Sequence, residues 1–245
     1  MTYRGLDPRL RPLRWGLFGI AVAVVLLVTL PAATASLRGL AEAAPDRLPW
    51  VATRLIGFLS YFAIAGSVIY GLLLSTKILD AIAHRPVSFA LHQDLSAIGL
   101  GLAGVHAILL GLDSTVPFSL VQVMVPFAAP YRPLWVGVGQ VALYLVAIVY
   151  GSFHVRRRIG QRSWRLLHYL TFLAFAGATA HGILSGTDSG SAWAWWSYVI
   201  ATAAVVFLTA YRIVLAIEAR RAAVDAPPPG PAARPSPLDL RAPGG

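Results

Sequence analysis

Six long runs of uncharged, mostly apolar residues limit what this chain can fold into more than any other feature of its sequence. A helix needs about 20 such residues to cross the hydrocarbon core of a bilayer. The runs cover residues 15–37, 55–76, 95–112, 133–155, 166–187 and 189–211, and the third reaches back to about 89 if it includes Asp94. Only 12% of the 245 residues are charged, about half the fraction typical of a soluble domain. The sequence therefore predicts an all-α, polytopic membrane protein, a six-transmembrane-helix bundle.

The stretch from 114 to 131 is about as long as these runs but carries Pro117, Pro126 and Pro130. Prolines at that density break a helix, and the opened backbone would lack hydrogen-bond partners in lipid. We therefore predict an interfacial or re-entrant loop between the third and fourth spans. Its position indicates that it shapes the outer end of the bundle.

Basic residues are concentrated on one side of the predicted bundle, which the positive-inside rule assigns to the cytoplasm. They are Arg4, Arg9, Arg11, Arg14, Lys77, Arg85, Arg156, Arg157, Arg158, Arg162, Arg165, Arg220 and Arg221. The other side has Arg38, Arg47, Arg54 and Arg132, partly balanced by Glu42, Asp46, Asp113 and Asp188. We predict a multi-pass protein of the cell (inner or plasma) membrane with its N- and C-termini in the cytoplasm.

The net charge of +10 is also typical of nucleic-acid-binding proteins. Here, however, the arginines stand at the ends of apolar runs, and no separate basic domain is present. We therefore predict the lipid bilayer as partner, and no nucleic acid. The sequence contains no cysteine, which excludes disulfides, thiolate-held iron–sulfur clusters and a cysteine nucleophile.

The predicted organisation has three parts: a cytoplasmic segment 1–14, a transmembrane domain 15–221 and a tail 222–245. The tail is rich in proline and alanine, so we expect it to be disordered. The first run, with Ala33-Thr34-Ala35 near its end, resembles a cleavable signal peptide, but its length favours a retained helix. No glycine-rich phosphate loop is recognisable, and we expect no soluble catalytic domain after the sixth run.

Four of the six histidines lie in two of the runs. His92 and His106 are 14 residues apart in the third run, and His168 and His181 are 13 apart in the fifth. Such spacings rise about 20 Å along a helix. The third and fifth spans run parallel, so His92 shares a depth with His168, and His106 shares a depth with His181. Ionisable groups inside membrane spans are uncommon and are usually functional.

A single buried histidine most often bonds a neighbouring helix or lines a polar cavity, but two pairs matched in depth favour metal chemistry. Zinc needs four ligands close together, which pairs about 20 Å apart do not supply. Two imidazoles do fill both axial positions of a haem iron, and a saturated iron suits electron transfer. Thirteen residues turn a helix to about 140° from its start. The fifth span then needs a kink or π-bulge near Gly177, or the haems approach it from different sides.

Arginines near the predicted histidine sites could bind the negatively charged groups of a cofactor or partner. Arg54 lies near the outer end of the second span, where its guanidinium could pair with a propionate of the outer haem. Snorkelling to the lipid headgroups is an equally good interpretation. The basic stretch 156–165 could hold inner propionates, a flavin phosphate or an acidic donor protein, although a topology signal is the simpler explanation.

The histidine spacings within a six-helix array resemble the ferric reductase-like transmembrane domain. In the second run, Arg54, Gly57, Tyr61 and Gly71 add weaker similarity, and the resemblance covers about 51–185. That superfamily includes ferric reductases, NADPH oxidases and the bacterial haem-binding membrane subunit of the methionine sulfoxide reductase system. The resemblance implies two haem b groups and electrons that enter from the cytoplasm and leave outside. It assigns one haem to His92 with His168 and the other to His106 with His181.

Full-length eukaryotic members of this superfamily carry a flavin and nicotinamide domain with no counterpart here, so the single-domain bacterial members are the closer comparison. They imply a partner, either a cytoplasmic electron donor protein that uses FMN or FAD or a quinol. We therefore predict an oxidoreductase component: a dihaem cytochrome b that passes electrons to an external acceptor. One alternative is a quinone-linked haem subunit that works with an external reductase subunit in periplasmic repair. Another is a non-redox transporter or assembly protein whose histidines relay protons.

Overall fold

The computed structural model describes residues 48–78, 84–111 and 117–225. Over these ranges the chain forms the helices α1 (Leu48–Thr76), α2 (Arg85–Leu110), α3 (Leu120–Met124), α4 (Pro133–Ile159), α5 (Gln161–Ser185) and α6 (Ala192–Asp225). Five of them, all except α3, are long and apolar enough to cross a membrane. They match the second to sixth predicted runs, which confirms an all-helical architecture for the described ranges and is consistent with a multi-pass membrane protein. The first run, 15–37, lies outside the described residues.

Four of the helices surround a central space. α1 packs along α2 and α4 packs along α5, while contacts of α2 with α4 and of α1 with α5 close the ring. A single residue, Gly160, connects α4 to α5, and its φ of 81° is a backbone conformation that glycine adopts without strain. The two helices that carry the histidine pairs, α2 and α5, lie diagonally across the ring and hardly touch. Side chains that α2 and α5 direct toward each other therefore meet across the central space of the ring.

The sixth helix packs outside the ring, mainly against α1. An aromatic cluster joins these elements: the ring of Tyr61 in α1 lies 4.9 Å from that of Tyr198 in α6 and 6.1 Å from that of Phe175 in α5. Large apolar side chains elsewhere point outward, such as Ile200 and Phe207, which are 65% and 67% exposed. An apolar exterior around a packed interior is the arrangement that lipid requires.

Helix α5 settles the geometric question posed by its 13-residue histidine spacing. It is α-helical from Gln161 to Ser185, so the predicted π-bulge near Gly177 is wrong. Gly177 instead brings α5 close to Ala142 of α4, because a Cβ built at this glycine would lie 3.2 Å from the Ala142 Cβ. Along an α-helix of this kind, positions 13 residues apart lie about 140° apart around the axis.

The described part of the proline-rich stretch forms only the five-residue α3, flanked by irregular backbone. Gln140, seven residues into α4, donates its Nε2 to the main-chain oxygens of Gln122 (2.8 Å) and Val123 (2.7 Å). Tyr144 donates its hydroxyl to the main-chain oxygen of Met124. Seven residues correspond to about 10 Å along the helix, so this segment packs well below the end of α4. Satisfying its carbonyls with side chains is what a re-entrant segment needs.

Helix α6 continues to Asp225, beyond the predicted end of the sixth span at 211 and the predicted start of the tail at 222. Its 34 residues span about 51 Å at 1.5 Å per residue, which exceeds a hydrocarbon core of about 30 Å. The part from Arg212 onward carries the charges of this helix and would project beyond the apolar layer.

Candidate functional site

The structure brings the four histidines of α2 and α5 together as two facing pairs. The ring centroids of His92 and His168 are 6.1 Å apart and their planes meet at 77°. Those of His106 and His181 are 6.2 Å apart, with planes at 79°. His92 and His168 each stand seven residues after the first residue of their helix, so the pairs lie at two levels of the bundle.

The spacing within each pair fits one metal ion between two imidazoles. With metal–nitrogen bonds of about 2.0 Å and about 1.1 Å from nitrogen to ring centre, two ligating rings have centroids about 6.2 Å apart. A direct hydrogen bond of about 2.9 Å would instead place the centroids about 5.1 Å apart. The observed separations are 6.1 and 6.2 Å. Within the described ranges no hydrogen bond joins the two rings of either pair.

Three of the four imidazoles are fixed by a hydrogen bond to the main chain of a neighbouring helix. In each case Nδ1 donates to a carbonyl oxygen, so Nδ1 carries the proton and Nε2 keeps its lone pair. This support orients a metal-binding histidine and makes it a better ligand. The bonds join His92 to Ser67 (2.9 Å), His106 to Thr53 (2.8 Å) and His181 to Trp135 (2.9 Å).

His168 is held differently. Among the described residues its side chain has no hydrogen-bond partner, and its ring stacks on Trp164, one turn earlier in α5, with centroids 5.2 Å apart and planes at 26°. The Nε1 atom of Trp164 is itself buried without a hydrogen-bond partner among those residues. The two members of the His92–His168 pair are therefore supported by different interactions.

Each pair lines its own cavity. The cavity at His106 and His181, here the His106 cavity, has a volume of about 310 Å³. The His92 cavity, at His92 and His168, has a volume of about 450 Å³. Both volumes lie in the range of ligand sites, about 300–1,000 Å³. Ile64 and Val146 line both cavities, so one layer of side chains separates them.

The two cavities differ in charge. At the His106 cavity Arg54 forms an ion pair with Asp188, in the connection between α5 and α6, and its guanidinium lies 4.1 Å from the ring centre of Trp50. Arg54 therefore reaches the predicted cavity, and Asp188 is a partner that the sequence did not predict. The described lining of the His92 cavity includes three arginines and no carboxylate: Arg85, Arg165 and Arg212.

No group of three or more His, Cys, Asp or Glu side chains in the described ranges is placed to hold a metal ion. A bare ion at either level would therefore have two protein ligands among these residues. A porphyrin brings its own nitrogen ligands, so an iron porphyrin would need only two more from the protein. The imidazole donors and their spacing within each pair suit such a group.

Several contributors to the site lie outside the sequence prediction. The carbonyl groups that accept hydrogen bonds from the imidazoles could not be predicted from the sequence, because every residue has a main-chain carbonyl. Trp164 and Arg212 are recognised only once the fold places them beside His168 and the His92 cavity. Gly57, Gly71 and Gly139 each lie against the ring of one of the four histidines. The first two belonged to the resemblance in the second run, whereas Gly139 did not.

The fold and the site together define a multi-pass helical membrane protein with two stacked pairs of facing histidines. Comparison of the chain with protein-family models, with curated proteins and with solved structures finds no match.

Proposed function

We propose that this chain is a membrane dihaem cytochrome b, a ferric reductase-like component that moves electrons across the bilayer from a cytoplasmic donor to an external acceptor. The observation that carries the proposal is the pair of ring separations, 6.1 and 6.2 Å, at two levels of one bundle. Bound haem would supply reversible one-electron chemistry, which cofactors rather than side chains ordinarily provide.

In this proposal His92 and His168 would hold one haem, and His106 and His181 would hold the other. With two histidine ligands from the protein, each haem would supply electron transfer rather than binding of oxygen. The proton-relay alternative receives less support, because the imidazoles of each pair are not joined by a hydrogen bond.

The arginines suit the propionate groups of haem. Arg54 at the His106 cavity, together with the arginines lining the His92 cavity, can form charge-assisted hydrogen bonds with carboxylates. A propionate at the His106 cavity would share Arg54 with Asp188, and the buried Nε atom of Arg54 has no hydrogen-bond partner among the described residues. Both cavities thus provide cations next to a mostly apolar lining.

The direction of transfer follows from the distribution of charge. Arg156, Arg157 and Arg158 form the last turn of α4, at the same end of the bundle as the His92 cavity. The positive-inside rule assigns that end to the cytoplasm, so the His92–His168 level accepts electrons first. The basic surface suits an acidic donor protein that carries FMN or FAD, and a quinol is the alternative donor. A quinone-linked subunit of a periplasmic repair reductase would use the same two haem sites.

An absorption spectrum of the full chain purified in detergent tests the proposal. We expect the reduced-minus-oxidised bands of b-type haem and two haems per chain, each lost when its histidines are replaced. Full pigment in a variant with alanine at all four positions would overturn the haem assignment. A colourless protein that stays colourless after haem is supplied would favour the transporter or assembly-protein alternative.

A further inference from the structure

The three imidazoles that donate to a carbonyl share one local arrangement on the helix that receives them. The accepting carbonyl belongs to residue i, and residue i+4 of the same helix is a glycine. The three pairs are Thr53 with Gly57 and Ser67 with Gly71 in α1, and Trp135 with Gly139 in α4. Thr53, Ser67 and Trp135 lie in separate places on two helices, so the arrangement recurs.

Helix geometry explains why position i+4 matters. The carbonyl of residue i points toward residue i+4, one turn further along the same face. The Cα–Cβ bond at i+4 tilts back toward the N-terminus and so toward that carbonyl. A side chain at i+4 therefore covers the space through which a second donor must reach the carbonyl oxygen. Glycine leaves that space to the imidazole.

The distances bear this out at each position. A Cβ built on Gly139 would lie 2.5 Å from Nδ1 of His181, and one on Gly57 would lie 2.9 Å from Nδ1 of His106. At Gly71 the nearest atom would be Cε1 of His92, at 3.1 Å. At Gly139 and Gly57 a carbon atom at these distances must displace the ring, whereas at Gly71 the ring of His92 would shift by only a few tenths of an ångström. The imidazole would have to move away from the helix that holds it.

Helix glycines differ in what a Cβ would meet, and some of them face open space. A Cβ built on Gly101 or Gly104 in α2, or on Gly151 in α4, would meet no heavy atom within 4 Å, apart from the neighbouring residues and the helix's own backbone. Gly151 and Gly139 lie in the same helix, α4. They differ in that a Cβ at Gly139 would meet the ring of His181, whereas one at Gly151 would meet open space.

We propose that Gly57, Gly71 and Gly139 are positioning residues for the histidine pairs. Each provides a slot in which one imidazole lies against the helix backbone, donates Nδ1–H to the carbonyl one turn back and directs Nε2 toward its partner. The inference rests on the proposed haem-binding function. His168 has no such slot among the described residues, so we assign slots to both ligands of the His106 cavity and to one ligand of the His92 cavity.

Single Gly→Ala variants of the full chain test this, with haem content and the midpoint potential of each haem as readouts. Loss of support around a metal-binding histidine typically weakens metal binding by about 10- to 100-fold. We expect Gly139→Ala and Gly57→Ala to weaken or shift only the His106–His181 haem, and Gly71→Ala to affect only the other, least strongly. Gly104→Ala and Gly151→Ala are matched controls and should leave both haems unchanged.

A double-mutant cycle separates a displaced imidazole from general misfolding. If the methyl group introduced by Gly139→Ala acts through the ring of His181, then Gly139→Ala combined with His181→Ala should be at least as stable as His181→Ala alone, since alanine is the better helix former. This measurement does not depend on bound haem. An unfolded double variant would overturn the slot assignment. The slot assignment would also be overturned if the wild type holds two haems and all three slot variants behave like the controls. That result would leave the cytochrome proposal intact.

If the wild type holds no haem, the cytochrome proposal itself is overturned.

Discussion

Ile64 of α1 and Val146 of α4 stand in the linings of both cavities, between one histidine pair and the other. The helices α1 and α4 form one diagonal of the four-helix ring, and α2 and α5, which carry the histidines, form the other. The helices α2 and α5 thus supply the histidines at two levels, while α1 and α4 supply side chains between the levels. Each histidine pair consequently has its own surroundings, although the two cavities are only one side-chain layer apart.

This separation makes the two sites independently removable. We expect His106→Ala or His181→Ala to reduce the haem content from two per chain to about one, because an iron with one axial ligand is held far less firmly. The haem between His92 and His168 should keep its spectrum. His84→Ala, at the exposed N-cap of α2, is the control. Equal loss of both haems from a folded single variant would contradict two separable sites.

The hydrogen bonds of Gln140 hold the segment around α3 in place, and they give a prediction that does not involve a cofactor. Gln140→Leu leaves the main-chain oxygens of Gln122 and Val123 without their donor, at a cost of about 1–3 kcal/mol for each unsatisfied buried group. Hydrogen exchange should become faster over residues 117–132 and remain unchanged in α5. The side chain of Gln122 accepts from the main-chain N–H of Ser119 at the start of α3, so Gln122→Ala should have a smaller effect. Equal exchange in both variants would contradict the role of Gln140.

The spans and the pairing of the histidines by depth could be predicted from sequence, because both follow from the length of apolar runs and the alternation of span direction. The path of α5 could not. A turn of about 140° between His168 and His181 suggested a distorted helix, whereas the structure keeps α5 regular. Residues on two sides of a straight helix can both face α2 when the helices cross, and crossing angles depend on packing between distant residues.

The ion-pair partner of Arg54 could not be predicted from the sequence for a related reason. In the sequence, Asp188 was only one of the acidic residues that partly balance the outer arginines. The structure brings its carboxylate to Arg54 from the connection between α5 and α6. Likewise, Arg212 contributes to the His92 cavity from α6. Contacts between residues far apart in the chain leave no local pattern, so the charges around the two cavities became visible only in three dimensions.

The Arg54–Asp188 ion pair predicts opposite shifts in the midpoint potential of the haem at the His106 cavity. Reduction adds an electron, so a nearby positive charge favours it and a nearby negative charge opposes it. We expect Arg54→Gln to lower that potential, Asp188→Asn to raise it, and the double variant to lie between them. Shifts of the same sign, or none, in a spectroelectrochemical titration would contradict the placement of Arg54 beside this haem.

The unequal support of the four imidazoles gives a prediction for Trp164. Because His168 has no carbonyl acceptor among the described residues, the stacked indole is the contact that restrains its ring. An aromatic pair is worth about 0.5–1.5 kcal/mol, so Trp164→Ala should weaken haem binding at the His92 cavity by about 2- to 10-fold. Trp164→Phe should retain most of the binding, since it keeps an aromatic face against the imidazole.

The measurement is a haem-transfer assay that follows the two haems separately by their reduced spectra. Trp196→Ala is the matched control, because Trp196 lies on α6 with 58% of its surface exposed. The haem between His106 and His181 should be unaffected, since both of its ligands have carbonyl support. If Trp164→Phe releases haem as readily as Trp164→Ala, stacking does not hold His168. The buried Nε1 of Trp164, which has no partner among the described residues, would then be the atom that matters.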